Sequence, residues 1–217
     1  MLANCDIALV RRALQRPLPG PQAHSRMSTR PRTSPGDLSH PQPPRQAAVL
    51  ILLYPQEGGL WLPLTRRTER VATHKGQISL PGGAQEASDK SLWETALREA
   101  REEIGLHSAQ HIECLGMLTH LYIPASNFDI QPFVAYTHTR PALAIDTTEV
   151  AELIEFPLSA LLDPSIKREE TWLWRGQTRQ VPFYAWNQHV IWGATAMVLS
   201  EFEVLLAAVC AKQDGAS

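Results

Sequence analysis

Residues 80–106 read Leu80-Pro81-Gly82-Gly83-Ala84-Gln85-Glu86-Ala87-Ser88-Asp89-Lys90-Ser91-Leu92-Trp93-Glu94-Thr95-Ala96-Leu97-Arg98-Glu99-Ala100-Arg101-Glu102-Glu103-Ile104-Gly105-Leu106. The stretch is a glycine turn, a short polar loop and a helix whose two ends are both marked. Ser91 followed three residues later by Glu94 is a capping-box start. Gly105 stands where a left-handed C-terminal cap is wanted, with Leu106 able to pack back. Between them Trp93, Ala96, Leu97, Ala100 and Ile104 recur every three or four residues and give one buried face. Glu99, Glu102 and Glu103 fall on another face, within an arc of roughly 100° and about one turn. Like charges at that spacing repel by a few tenths of a kcal/mol each unless a counter-charge is present. Hard oxygen ligands suit magnesium or manganese. The bland reading is a solvated helix laced by Glu94–Arg98 and Arg98–Glu102 pairs. The adjacent glycines weigh against it, because they let backbone approach a metal or a phosphate closely.

Upstream, Ala47–Tyr54 is a continuous apolar run, as expected of a strand buried on both faces. Gly58-Gly59 marks a turn and Leu60–Thr65 a returning strand. Pro63 cannot donate to a ladder, so that strand should be an edge or carry a bulge. Further strands are expected at 77–80, 112–118, 128–136, 171–174 and 180–185. Helices are expected at 92–103, around 149–162 and at 190–209. This irregular alternation implies an α/β (α+β) fold with a mixed sheet and helices on its faces.

The chain has 217 residues with 20 Lys plus Arg and 22 Asp plus Glu, a net charge of -2. That balance argues against broad non-specific binding to nucleic acid or anionic membrane. The longest apolar run, Val190–Leu199, is too short for a span of about 20 residues, and Glu201 and Glu203 follow it. Cys5, Cys114 and Cys210 fit neither a disulfide framework nor a metal knuckle; they are expected to be inert, in a reducing cytoplasm. Residues 1–16 carry a short helical pattern. Residues 17–44 hold eight of the 17 prolines and only three large apolar side chains. Residues 1–44 are therefore expected to be a helix-like segment and a flexible Pro-rich linker, residues 45–212 the domain, and 213–217 a tail. Met27 is an alternative start.

Gly83 followed by Arg98-Glu99-Ala100-Arg101-Glu102-Glu103-Ile104-Gly105-Leu106 resembles the Nudix box, G-x5-E-x7-R-E-U-x-E-E-x-G-U, with U aliphatic. Two departures stand out: Asp89 replaces the first glutamate, and eight residues rather than seven precede Arg98. Both lie before the helix. The segments Arg45–Leu50, Leu64–Thr68, His74–Gly83 and Ile191–Ala196 are similar to the coenzyme A pyrophosphatase group of Nudix hydrolases, so the resemblance spans about residues 45–206. That group's motif usually has Leu-Leu-Thr, a Ser or Ala after the second arginine, another Arg shortly afterwards and Phe before Pro-Gly-Gly; here those places hold Pro63-Leu64-Thr65, Thr68, Ala72 and Leu80.

The resemblance implies a Nudix-like sheet sandwiched between helices. It implies hydrolysis of a diphosphate joined to a nucleoside, with coenzyme A or its thioesters as substrate, or else ADP-ribose, a dinucleotide or a nucleoside triphosphate. A non-catalytic binding module is the third alternative. Glu99, Glu102, Glu103 and the backbone of Gly83 would hold Mg2+ or Mn2+, and Arg98 would orient a glutamate. The general base would be Glu99, or a loop glutamate such as Glu149 or Glu152. Arg66, Arg67, His74 and Lys75 would grip phosphates, and Phe128 would stack on a base or serve as core. A small-molecule substrate, no nucleic acid and no membrane are the expected partners; a homodimer is left open.

Overall fold

The apolar run Ala47–Tyr54 lies within strand β1 (Arg45–Gln56), the spine of the fold. A computed structural model describes residues 5–30, 40–68, 76–107, 111–174 and 176–213. The strands that follow are β2 (Gly59–Arg67), β3 (Ile78–Ser79), β4 (Gly82–Ala84), β5 (Glu113–Met117), β6 (Leu121–Ile123), β7 (Phe128–Tyr136) and β8 (Val150–Pro157). Along one side β1 pairs in parallel with β7, Arg45 opposite Phe128 through Leu53 opposite Tyr136. Along the other it pairs antiparallel with β4 near its start and with β2 at its end. The turn Glu57-Gly58 has positive φ at both positions, 50° and 76°, the twist that suits a two-residue hairpin. β3 and β8 extend the sheet beyond β2, and β5 and β6 extend it beyond β7, to eight strands. β2 leaves β1 after Trp61, so Pro63 has a strand partner on one side only, Glu155 of β8. That is the edge its missing N–H requires.

Both faces of this mixed sheet are covered, as expected of an α/β sandwich. Helix α3 (Leu92–Ile104) packs Ala96, Ala100 and Ile104 against Leu50, Leu52, Tyr54 and Phe133. On the other face Ile51, Leu53, Leu62 and Leu64 meet α1 (Ile7–Leu14) and α4 (Gly193–Gln213). A second, three-stranded antiparallel sheet of β9 (Lys167–Trp174), β10 (Gln177–Trp186) and β11 (His189–Trp192) leads into α4.

Three expectations are corrected. Residues 149–162 were expected to be helical, but they form β8 and then a 3-10 turn over Leu158–Leu162. Val150, Ile154, Phe156 and Leu158 fit both periods, and pairing with β2 decides for the strand. The C-terminal helix begins at Gly193, after β11, where φ is +66°. Met197, Leu199, Phe202, Leu205 and Leu206 of this helix are all inside. By length and composition alone it could cross a membrane; its 193–211 span is instead 67% buried within the molecule, as a central helix is.

The third correction concerns the segment expected to be flexible. Among residues 5–30, Cys5, Leu9, Val10, Ala13, Ala23 and Met27 are buried. Asp6 caps α1 through Leu9 N at 2.7 Å. A four-residue helix, α2 (Pro21–His24), lies on α4, where Glu201 is fully buried. Its carboxylate accepts from Gly20 N (3.1 Å), Thr119 N (3.1 Å) and Thr119 Oγ1 (2.6 Å), and pairs with His24 Nε2 (3.0 Å). Proline content therefore misleads here, because polar bonds to one buried carboxylate do what large apolar side chains usually do. The Pro-rich stretch 31–39 and the tail from residue 214 lie outside the described residues.

Candidate active site

α3 starts as its sequence requires. Ser91 has extended backbone and its Oγ accepts from Glu94 N at 3.2 Å. Glu94 reaches back to Lys90 N at 2.8 Å, one residue before the cap. At the other end Gly105 adopts φ 65°, ψ 32°, and Leu106 N bonds to Ala100 O. The C-terminal half of the helix lies beside β4 and the end of β2.

Glu103 is 2% exposed. It accepts from Arg67 Nη1 and from Gly82 N, both at 3.2 Å. Burial pushes its carboxyl up to about 7, against the pull of Arg67 and Gly82; the nearby Glu99 and Glu149 charges push the same way as burial. Glu99 is also raised, first by burial, with Arg98 opposing. Its carboxylate rests on the backbone of Gly83. A Cβ at Gly83 would come within 3.0 Å of all three atoms of that carboxyl end, so only glycine admits Glu99 there. A Cβ at Gly82 would strike the backbone of Ala48 and Val49.

Arg98 is a hub. Its Nη1 donates to Glu99 (3.0 Å) and Glu102 (2.9 Å), and its Nη2 to Ala84 O (2.9 Å) and Asp89 (3.1 Å). Asp89 also accepts from Glu86 N and Thr95 Oγ1. The Arg98 guanidinium holds Asp89 down at about 2. The aspartate one carbon short of the usual glutamate thus does a defined job, anchoring Arg98 from a loop one residue longer.

The sequence expectations divide as follows. Glu99, Glu102, Glu103, Arg98, Gly83 and Arg67 come together. Glu149 joins them, although it lies in the turn before β8 and is no helix start. Its carboxylate is 3.9 Å from Arg67 Nη2, and its charge acts on both Glu99 and Glu103. Thr68 fixes this turn, donating from N to Glu149 O and from Oγ1 to Thr148 O. Asp146 Oδ1 closes it on Thr148 N and Oγ1. The Asp-Thr-Thr run was a readable turn signal that the helical reading of 149–162 obscured. Arg66 does not join the cluster. It leaves the opposite face of β2 and pairs with Glu152 at 2.8 Å, whose other oxygen is 3.5 Å from His189. Phe128 is likewise apart. Alternation along β1 and β7 puts it on the face away from α3, under the Arg45 guanidinium at 4.8 Å. His74 and Lys75 lie outside the described residues.

Among the described residues no three His, Cys, Asp or Glu side chains already converge as a metal site. Glu99, Glu102 and Glu103 are each engaged by Arg98, Arg67 or Gly82. The donor chemistry nonetheless fits a hard divalent cation. Alongside burial, the Glu102 and Glu149 charges raise Glu99 and the Glu99 and Glu149 charges raise Glu103, and Gly83 leaves room for Glu99 against the backbone.

The family model described as the NUDIX domain matches residues 44–179. A protein of Photorhabdus laumondii, an uncharacterized Nudix hydrolase called NudL, is 36% identical over 157 residues, 72% of this chain and 82% of that protein. Nudix hydrolase 22, chloroplastic, of Arabidopsis thaliana is 34% identical over 163 residues. This chain spans about half the length of that plant relative, 53%. Among solved structures, a MutT protein from Methanosarcina mazei superposes with a TM-score of 0.48 at 17% identity, over 81% of this chain and 99% of that one.

Proposed function

Because the chain belongs to the Nudix hydrolase family, we propose that its substrate is coenzyme A or a thioester of it, cut at the diphosphate. The products are 3',5'-ADP and a 4'-phosphopantetheine. One observation carries this reading. Arg67, from the segment similar to the coenzyme A pyrophosphatase group, bonds Glu103 of the box-like helix and lies beside Glu149. The two sequence features thus belong to one site.

Glu99, Glu102 and Glu103, with a carbonyl of the Gly82-Gly83 turn, are the residues that would hold Mg2+ or Mn2+. Such an ion supplies charge neutralisation at the diphosphate and an acidified water. Arg98 keeps Glu99 and Glu102 aimed from one fixed guanidinium. Arg67, bonded to Glu103 and beside Glu149, would offer the rest of its fork to a phosphate oxygen. Glu149, with a side chain 52% exposed beside Arg67, is the residue that would take a proton from the attacking water.

The test is product analysis by chromatography. Coenzyme A, ADP-ribose and a diadenosine polyphosphate are each incubated with the protein, with and without Mg2+ or Mn2+. The expected result is metal-dependent 3',5'-ADP from coenzyme A. Cleavage of the other two alone would reassign the substrate. No cleavage of any would move the chain to the binding modules.

A further inference from the structure

Cys5 immediately precedes the cap of α1, and Cys210 lies near the end of α4. The two helices pack together, and Cys210 lies against the apolar cluster that holds Cys5, near enough to act on the Cys5 thiol. Cys5 is 4% exposed within the main apolar cluster, whereas Cys210 packs against that cluster and stays partly open to solvent. Cys114 lies exposed on β5. A pair separated by most of the chain and brought together by folding satisfies the first requirement of a disulfide, which no sequence spacing revealed.

We propose that Cys5 and Cys210 form a redox-active dithiol, converted by a low-molecular-weight disulfide into a bridge that staples residues 5–30 onto α4. Cys210 is the accessible partner. Its thiolate attacks one sulfur of the small disulfide, forms a mixed disulfide and expels one small thiolate. Cys5 then gives its proton to solvent and attacks the Cys210 sulfur, expelling the second small thiolate. Two protein thiols are oxidised and one small disulfide is reduced to two thiols. Burial holds the Cys5 thiol up at about 12, so it stays protonated until the mixed disulfide is beside it. The bridge closes nearly the whole chain into one loop, the case in which restriction of the unfolded state stabilises most.

The experiment treats the full chain, natively folded, with oxidised glutathione, then blocks remaining thiols and maps peptides without reduction. A linked Cys5–Cys210 peptide is expected, with Cys114 alkylated or carrying glutathione. Tm should rise by about 5 °C or more and return on adding dithiothreitol. Neither change should occur in Cys210→Ser or, should that variant fold poorly, in Cys210→Ala. Glutathione on Cys210 or Cys114 without the linked peptide would overturn the proposal. A linked peptide with unchanged Tm would overturn it equally, because the bridge would then not be holding the arm.

Discussion

Glu102 and Glu103 are neighbours in sequence and live in different media. The Glu102 side chain is 57% exposed with one bond to Arg98; that of Glu103 is 2% exposed between Arg67 and a backbone amide. Glu102→Gln should therefore leave Tm within about 2 °C, as surface changes do, while turnover with saturating metal falls at least about a hundredfold. Near-wild-type turnover would sink the metal-ligand role. Glu103 makes the opposite kind of prediction. Its folded value near 7 exceeds the ordinary 4.5, so folding favours its protonated form. The stability it contributes is full below about pH 4.5 and is lost as pH rises through 7. Denaturant unfolding in chelator should find wild type losing about 3 kcal/mol relative to Glu103→Gln between pH 4.5 and pH 8. A gap that does not move with pH would mean Glu103 is not perturbed. These acids were legible as a face of a helix, but their different burial was not. Burial comes with the Arg67 and Gly82 contacts, of which one lies on a distant strand and the other is made only once the glycine turn folds back on the helix.

At the scale of elements, α3 was legible almost to the residue because both ends carry local signals, a serine cap and a left-handed glycine. β8 was not, because its apolar positions satisfy two periods and only the partner strand chooses between them. The misreading reached the site, since Glu149 sits in the turn that leads into β8 rather than on a helix. The loop between β4 and α3 is held by a single aspartate. Asp89→Asn removes the charge-assisted pair with Arg98, which should cost about 2 kcal/mol. It should also lower turnover, because Arg98 then orients Glu99 and Glu102 less firmly. The Asp89 value is depressed to about 2 from 3.8, so its contribution is present above pH 3.8 and lost as pH falls through 2. Melting curves of variant and wild type should accordingly converge at about pH 2 and separate above pH 4. Curves equally far apart at both pH values would show that the pair is not the cause.

For the whole molecule, a mixed sheet with helices on its faces followed from the strand and helix patterns, but β8 and the role of residues 5–30 did not. Residues 17–30 hold only two large apolar side chains, Leu18 and Met27, and the anchor that holds them is Glu201, a buried charge in a mostly apolar helix. No local pattern marks such a long-range bond. Deleting residues 1–30 should expose the face that Leu9, Val10, Ala13 and Met27 cover and strip Glu201 of two of its partners. A buried carboxylate with unmet bonds is among the costliest defects a fold can carry. Tm should fall by about 10 °C or more, or soluble protein should be lost, as differential scanning fluorimetry would register. A shift under about 2 °C would mean the packed arm contributes nothing. The same anchor dictates an order of events. Residues 5–30 are made well before their dock, α4. During synthesis the arm must wait, apolar side chains uncovered, until α4 has left the ribosome. Closing a contact of such long sequence separation is slow. The seam between the arm and α4 is therefore late to shut, and a nascent chain halted before α4 has nowhere to dock residues 5–30.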